Sequence, residues 1–273
     1  YIEDSLVRQA RHAIYGYTES DTAYFEAVQQ WLAAHHGWQV QPNGLAVQEV
    51  LNRCLSEFLG TETEVIGASR TDAGVHALGQ VVSCVLDETD FDGVTPGRLT
   101  ISLNALTPDD IVIKAVDFAR PEFSARFDAT TREYRYRIVT GPVPPLFLSD
   151  FAWWRRGELD IEAMRQGAAH LIGEHDFKSF CKAASAEGKT TMRRVDEISI
   201  THEEQMGESC LLVKVVGNAF LHSMVRTIDG TREQVGAGNR EPSTVADVLA
   251  ARDRGAAGET APACGLIFWH VNY

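Results

Sequence analysis

Apolar residues recur at two spacings along the 273-residue chain, and segments of one kind alternate with segments of the other. After Pro42-Asn43-Gly44, Val47, Val50, Leu51, Cys54, Leu55 and Phe58 share one face at helical period, and Gly60 is a natural stop. A second helix is predicted from Thr95 as N-cap with Pro96 in the first turn, carrying Leu99, Leu103 and Leu106. Asp160 reads as the cap of a third, bearing Ile161, Met164, Ala168 and Leu171 and stopped by Gly173. Apolar spacing predicts two more over about 219–234 and 242–254. Runs rich in β-branched and aromatic residues predict strands over about 63–68, 78–86, 110–118, 131–139, 195–202, 209–217 and 265–273.

Helical and extended runs are interspersed without a solenoid repeat, a heptad run or a low-complexity segment, which places the chain in a mixed α+β class. Helices are expected to cover one side of a sheet and leave the other for a cleft. A change of unit is expected near Ala119-Arg120-Pro121, giving an N-terminal subdomain over 1–119 and a C-terminal one over 120–273. The Pro-rich turn from Gly141 to Pro145 reads as a surface loop, too short to separate domains.

Composition narrows the class. No apolar run approaches the roughly 20 residues of a membrane span, and the N-terminus has no secretory order of basic, apolar and small residues, so a cytoplasmic protein is expected. Cys54, Cys84, Cys181, Cys210 and Cys264 are widely spaced and form no C-x-x-C pair, which fits reduced thiols and no metal; adjacent His35 and His36 do not converge on one ion. The formal net charge of −13 argues against a nonspecific nucleic-acid binder but not against a local basic cleft. The cations are mostly arginine, which suits bidentate phosphate contacts and stacking and also follows from genome composition or a salty habitat.

Candidate chemistry centres on Gly67-Ala68-Ser69-Arg70-Thr71-Asp72-Ala73-Gly74-Val75-His76, a polar segment between two predicted strands. Gly74 permits unusual backbone angles, so Asp72 is either held against a ligand or serves as a turn residue bonded to nearby N–H groups. The run from Ser69 to His76, continued by Gly79-Gln80-Val81, resembles the signature of TruA-type tRNA pseudouridine synthases, with Ser69 where the family usually has glycine. Further matches follow in order: Gly37-Trp38-Gln39 with Gln41 and Val47-Gln48; Phe123-Ser124-Ala125-Arg126-Phe127; Arg132 with Tyr134-Arg135-Tyr136; and Asp176-Phe177 with Ser179-Phe180. Asn218-Ala219-Phe220-Leu221-His222 before Met224-Val225-Arg226, then Gly265-Leu266, close the series. One region departs: the family reaches its Gly-Trp soon after a strand carrying Tyr-Asp-Gly, whereas here Tyr15-Gly16-Tyr17 is followed by a long stretch. Within it Phe25, Val28, Trp31 and Leu32 suggest an extra helix over Asp21 to His35.

The resemblance implies a pseudouridine synthase fold, with a mostly antiparallel mixed sheet, flanking helices and a central RNA-binding cleft. It implies isomerisation of tRNA uridine without a redox cofactor, because the N1–C1′ bond breaks, the base turns and C5 joins C1′ at constant oxidation state. Such chemistry needs a carboxylate at the sugar, as nucleophile or as base, and Asp72 matches the family's catalytic aspartate. Arg226 matches the partner that keeps that carboxylate ionised, on a predicted helix capped by Asn218 with His222 one turn earlier. Alternation over Thr131 to Val139 puts Arg132, Tyr134 and Tyr136 on one face and Glu133, Arg135 and Arg137 on the other. Tyr134 matches the tyrosine that lies against the uracil, while Tyr136 reads as packing.

Because a stacked uridine must be extruded, Arg70 matches an arginine that fills the vacated space. Arg193 and Lys182, with Lys178 and Lys189, are either phosphate contacts or a solvated loop, and Leu266 either lines the pocket floor or packs in its strand. By resemblance the target lies in the anticodon stem-loop, at roughly nucleotides 38 to 40, where the base must leave its stack. The active form is then a homodimer in which one tRNA touches both subunits. Two other readings compete: a hydrolytic nucleosidase, which needs a second carboxylate that the sequence does not offer, and a non-catalytic RNA-binding protein on the same scaffold.

Overall fold

The hydrophobic period after Gly44 is realised as helix α1 (Val47–Leu59), whose buried face is Val47, Val50, Leu51, Cys54 and Leu55. Its N-cap residue, Ala46, has no side chain able to cap, so the first N–H groups are met by backbone instead. Val47 N donates to Gly37 O at 3.2 Å and Gln48 N to Trp38 O at 3.0 Å. Gly60 ends the helix with φ of 76°, and its N–H reaches Ser56 O. The computed structural model describes residues 21–30, 36–42, 44–86, 93–183 and 186–273.

Two compact units emerge: Tyr1–Ala73 with Ala77–Ala129 and Tyr273 form one, and Gly74–His76 with Thr130–Asn272 the other. In the first, β1 (Asp21–Gln30) lies between β3 (His76–Leu86) and β4 (Ile111–Ala119), antiparallel to both, and short β2 (Ile66–Gly67) pairs with β3. Helix α2 (Pro96–Leu106) starts as its sequence indicates, with Thr95 Oγ1 accepting from Arg98 N at 3.3 Å and proline in the first turn. Leu51 and Leu55 of α1, Leu99 and Leu103 of α2, Val82 and Cys84 of β3, and Ile111 and Ile113 of β4 share one core.

The extra helix expected over Asp21 to His35 is overturned for its first ten residues, which form β1; residues 31–35 lie outside the described residues. The reason is register. β1 takes hydrogen bonds on both edges, and its pairing with β3 shifts between Glu26 and Val28 and again between Val28 and Gln30. Such bulges break the strict alternation by which a strand is read from sequence, and leave apolar letters at intervals that imitate a helix.

In the second unit the strand order is β10-β5-β9-β8-β7: β10 (Leu266–Asn272), β5 (Thr131–Thr140), β9 (Glu208–Gly217), β8 (Met192–Gln205) and β7 (Gly173–Asp176). These pairs are antiparallel, and β6 (Trp153–Arg155) runs parallel to β5. Helix α3 (Ile161–Ala169) is capped by Asp160, whose Oδ1 accepts from Ala163 N at 2.9 Å. It ends before Leu171, and Gly173, with φ of 110°, opens β7 rather than stopping the helix. Helix α4 (Met224–Gly236) starts five residues later than its apolar spacing implies, and α5 (Thr244–Ala251) is shorter at both ends than expected.

Helix α4 is unusual in what it buries. Asp229 and Arg232, one turn apart, are fully enclosed and paired through Oδ1 and Nη2, while Asp229 Oδ2 and Arg232 Nε and Nη1 have no hydrogen-bond partner. Burial pushes the Asp229 carboxyl up to about 6, against the pull of the Arg232 guanidinium. The unfolded chain, with its aspartate at the ordinary 3.8, gives up that proton first, so the group's contribution to stability is greatest at low pH. It is lost as pH rises through the window between those two values. Removing one partner strands the other charge, whereas an apolar pair of similar volume is tolerated. Asp229→Val alone is therefore expected to cost about 3–5 kcal/mol in urea unfolding at neutral pH. Asp229→Val with Arg232→Met is expected to equal or exceed the parent, and to lose the parent's decline in stability across that window; a double variant as unstable as the single one would contradict this.

Candidate active site

The Asp72 loop is built by its neighbours in the first unit. As the chain leaves β2, Ala68 N donates to Val81 O at 2.8 Å. The buried Gln80 side chain closes a two-point clamp, its Nε2 donating to Ser69 O at 2.8 Å and its Oε1 accepting from Ser69 N at 3.3 Å. From the other side Trp38 N donates to Thr71 O at 3.1 Å. Gly37, at φ of 86°, lies so close that an added Cβ would stand 2.8 Å from Thr71 O and 2.9 Å from Ala73 N. Gly67 gives way in the same manner to the Trp38 indole. The peptide carrying Asp72 is thus held from both sides through backbone and glutamine contacts, with Asp72 half-buried and Arg70 exposed. Although Arg70 reaches solvent, partial desolvation draws its guanidinium below the usual range, and the like charge of Arg126 adds to the effect.

Gly74 has the left-handed φ, 86°, that the sequence suggests, and a Cβ there would meet Ala263 Cβ at 2.8 Å. Two residues on, His76 Nε2 bonds Asp150 O at 2.7 Å and its ring stacks on Phe151 at 4.5 Å, so this histidine has a packing role.

In the second unit the alternation of β5 holds. Arg132, Tyr134 and Tyr136 are buried on one face, and on the other the Arg135 guanidinium lies 3.8 Å over the Trp269 ring and 2.7 Å from Glu133. Tyr134 sits among aromatics, 5.0 Å from Phe268 and edge-on to Phe220 at 5.2 Å. Leu266, buried at the start of β10, is opposite Tyr136, whose hydroxyl donates to Pro262 O at 2.7 Å. Gly265 is required there, since a Cβ would stand 2.7 Å from the Tyr136 ring.

Arg226 is held by the same 261–262 segment: its Nε donates to Ala261 O at 2.8 Å, and Ala261 N returns a bond to Arg226 O at 3.1 Å. Gly230 and Gly258 let this strap run against α4, and Gly258 N donates to Thr231 Oγ1 at 3.0 Å. Tyr134, Leu266 and Arg226 thus belong to the second unit, with Tyr136 and Arg226 both anchored to consecutive carbonyls of one strap.

Three expectations need correction. Asn218 does not cap α4: Ser223, with φ of 59°, precedes its first residue, and Asn218 Oδ1 accepts from Arg194 N at 3.0 Å. The segment from Asn218 to His222 is a loop pinned at Asn218 O by Arg132 Nη1 at 2.7 Å, so its apolar letters do not continue the helical period. His222 is therefore outside the helix that carries Arg226, and the two do not share a helical face. Arg193 sits on β8 rather than in a loop, its Nη1 donating to Met192 O at 2.6 Å and Thr190 O at 3.1 Å. Lys182 is exposed, and its backbone N–H to His222 O, at 3.4 Å, brings the basic segment beside the loop that precedes α4. Sequence reasoning missed the Ala261-Pro262 strap, because carbonyl acceptors leave no side-chain signature.

The family described as tRNA pseudouridine synthase matches residues 168–273. The tRNA pseudouridine synthase A of Pelobacter propionicus is 42% identical, over 87% of this chain and 93% of its own length. That of Brevibacillus brevis is also 42% identical, over 87% of this chain and 93% of its own length. The Bacillus subtilis protein of the same name is 40% identical over 87% and 94%. A likeness to the solved "Crystal Structure of a Cbf5-Nop10-Gar1 Complex", at 16% identity and a TM-score of 0.34 over 78% of this chain and 45% of that one, is too low to bear on the argument. Identity near 40% along almost the whole length of these relatives places the chain in the tRNA pseudouridine synthase A family, as an isomerase of uridine in tRNA.

Proposed function

We propose that Asp72 is the carboxylate that acts at C1′ of a uridine in the anticodon stem-loop of tRNA. The observation that carries this reading is the clamp on its loop: Gly37, Trp38 and Gln80 hold the peptide around Asp72 from two sides. A turn residue needs no such bracing, whereas a group that must meet one sugar carbon gains from a fixed position. In the reaction the N1–C1′ bond breaks, the freed uracil turns, C5 bonds C1′, the proton at C5 leaves and N1 regains one. The carboxylate acts either as nucleophile at C1′ or as base at the sugar, and both roles need it ionised.

Arg226, its direction set by Ala261 O, supplies the positive charge against which that ionised form is kept. Tyr134 is the ring against which the uracil lies, and Leu266 contributes apolar surface that excludes water from the detached base. Arg70 takes the place of the extruded nucleotide, whose unstacking costs a few kcal/mol. Arg193 contacts phosphate from β8. The working form is a homodimer in the cytoplasm, with one tRNA touching both subunits. No described helix is long and apolar enough to cross a membrane.

Treatment of tRNA with the enzyme, followed by carbodiimide labelling and primer extension, is expected to give new stops confined to the anticodon stem-loop, at roughly positions 38 to 40 where a paired or stacked base is extruded. Stops elsewhere in the tRNA, with none in that stem-loop, would overturn the assigned target. Tyr134→Phe keeps both ring contacts and is expected to fold normally and bind tRNA nearly as well, with turnover reduced because the hydroxyl is gone. Full turnover by that variant would leave Tyr134 a packing role alone.

A further inference from the structure

An exposed aromatic residue is ordinary by itself. Phe127, 77% exposed, differs in how firmly its turn is held within the first unit. Ala125 N donates to Ser83 Oγ at 3.0 Å, and Tyr273 OH donates to Ala125 O at 2.9 Å. Ser124 N donates to Asp128 Oδ2 at 2.9 Å, Asp128 N returns a bond to Ser124 O at 3.1 Å, and Arg120 Nη2 lies 2.9 Å from the same carboxylate oxygen. Below, the Phe123 and Tyr273 rings meet at 5.0 Å. The turn that presents Phe127 is therefore fixed at each end and beneath, while the ring itself stays in solvent.

Arg126, also exposed, carries its guanidinium 5.3 Å from the centre of the Phe127 ring. Ser83, which anchors this turn, pairs with Ile66 of β2 just before the Arg70–Asp72 loop, and Arg126 is near enough to Arg70 to disfavour its charged form. Like charges gathered beside a rigid, exposed ring in a chain of net charge −13 answer to a polyanion with flat apolar groups. Single-stranded RNA has that chemistry: phosphates for guanidinium groups and base faces for stacking.

We propose that Arg126 and Phe127 form a tRNA contact next to the Arg70–Asp72 loop, in which Phe127 stacks on an unpaired base and Arg126 holds the phosphate beside it. The ring supplies a stacking face that tolerates any base, and the guanidinium sets the register of the strand. The inference rests on the reading of tRNA as substrate and adds two residues to the elements that grip it.

The test is a tRNA binding titration over a range of salt, with the full chain. Phe127→Ala is expected to weaken binding about tenfold with an unchanged salt slope, since stacking releases no counterions. Arg126→Gln is expected to lower that slope by about one unit. Phe127→Trp is expected to restore affinity and to add emission that tRNA quenches on binding. Thermal melts of all three are expected to match the parent, because both side chains are exposed. Parental affinity in Phe127→Ala, or emission at position 127 that tRNA leaves unchanged, would overturn the proposal. A parent chain that isomerises no uridine would instead count against the functional reading, so the two failures are distinguishable.

Discussion

Everything at the Asp72 loop depends on one close approach, the backbone of Gly37 against the peptide from Thr71 to Ala73. No side chain fits at position 37, where a Cβ would press on Thr71 O and Ala73 N and where φ is 86° besides. Because Gly37 is bare, Trp38 N reaches Thr71 O, and the carbonyls of both residues turn back to cap α1. One short segment thus ties the Asp72 loop to the helix that anchors the first core. The indole of Trp38, 2% exposed, fills the space under Gly67, and Gln80 clamps Ser69 from β3. Position is what a catalytic carboxylate needs most, since a misplacement of about 1 Å costs on the order of a hundredfold in rate. A carboxylate on so braced a peptide loses little further freedom when substrate arrives.

The second unit solves a related problem through carbonyls. Helix α4 carries Arg226, and the strap from Gly258 to Pro262 runs along it because Gly230 and Gly258 have no side chains to keep it away. Consecutive carbonyls of that strap then take Arg226 Nε and Tyr136 OH. Both side chains are thus oriented by backbone whose own path is set by packing. The Asp229–Arg232 pair, enclosed on the same helix, adds no net charge to the interior but leaves three polar atoms without partners. Such a pair costs desolvation energy and is weak as a source of stability.

Legibility in the sequence followed the physics of each signal. Thr95 with Pro96, and Asp160, were readable as caps because capping is a local bond between a short side chain and an N–H three residues on. The alternation of β5 was readable because one of its faces is buried throughout. β1 was not, since two register shifts interrupt its period, and β6 and β7 are too short to carry a pattern. Asn218 looked like a cap because it precedes an apolar run, but its side chain is committed to Arg194 N and the helix waits for Ser223. Asp72, Arg70, Tyr134, Arg226 and Leu266 were singled out as candidates by ordered motifs along the chain, and the functions given to them are proposals. The groups that hold them were not, because carbonyl acceptors and glycine close approaches are visible only once distant segments are folded together.

The acidic total and a polyanionic substrate are compatible because affinity depends on where cations stand rather than on their sum. The exposed arginines at 70 and 126 are local features, distinct from the Asp72 carboxylate proposed to act at C1′. That assignment separates cleanly from folding and from binding: asparagine has nearly the same size as aspartate and accepts hydrogen bonds, yet it is uncharged and a very poor nucleophile and base. The most direct measurement is single-turnover conversion of tRNA by Asp72→Asn with enzyme in excess, run beside a thermal melt and a binding titration. The account predicts a folded variant that binds tRNA within a few-fold of the parent and forms no detectable pseudouridine; appreciable isomerisation by that folded variant would contradict it.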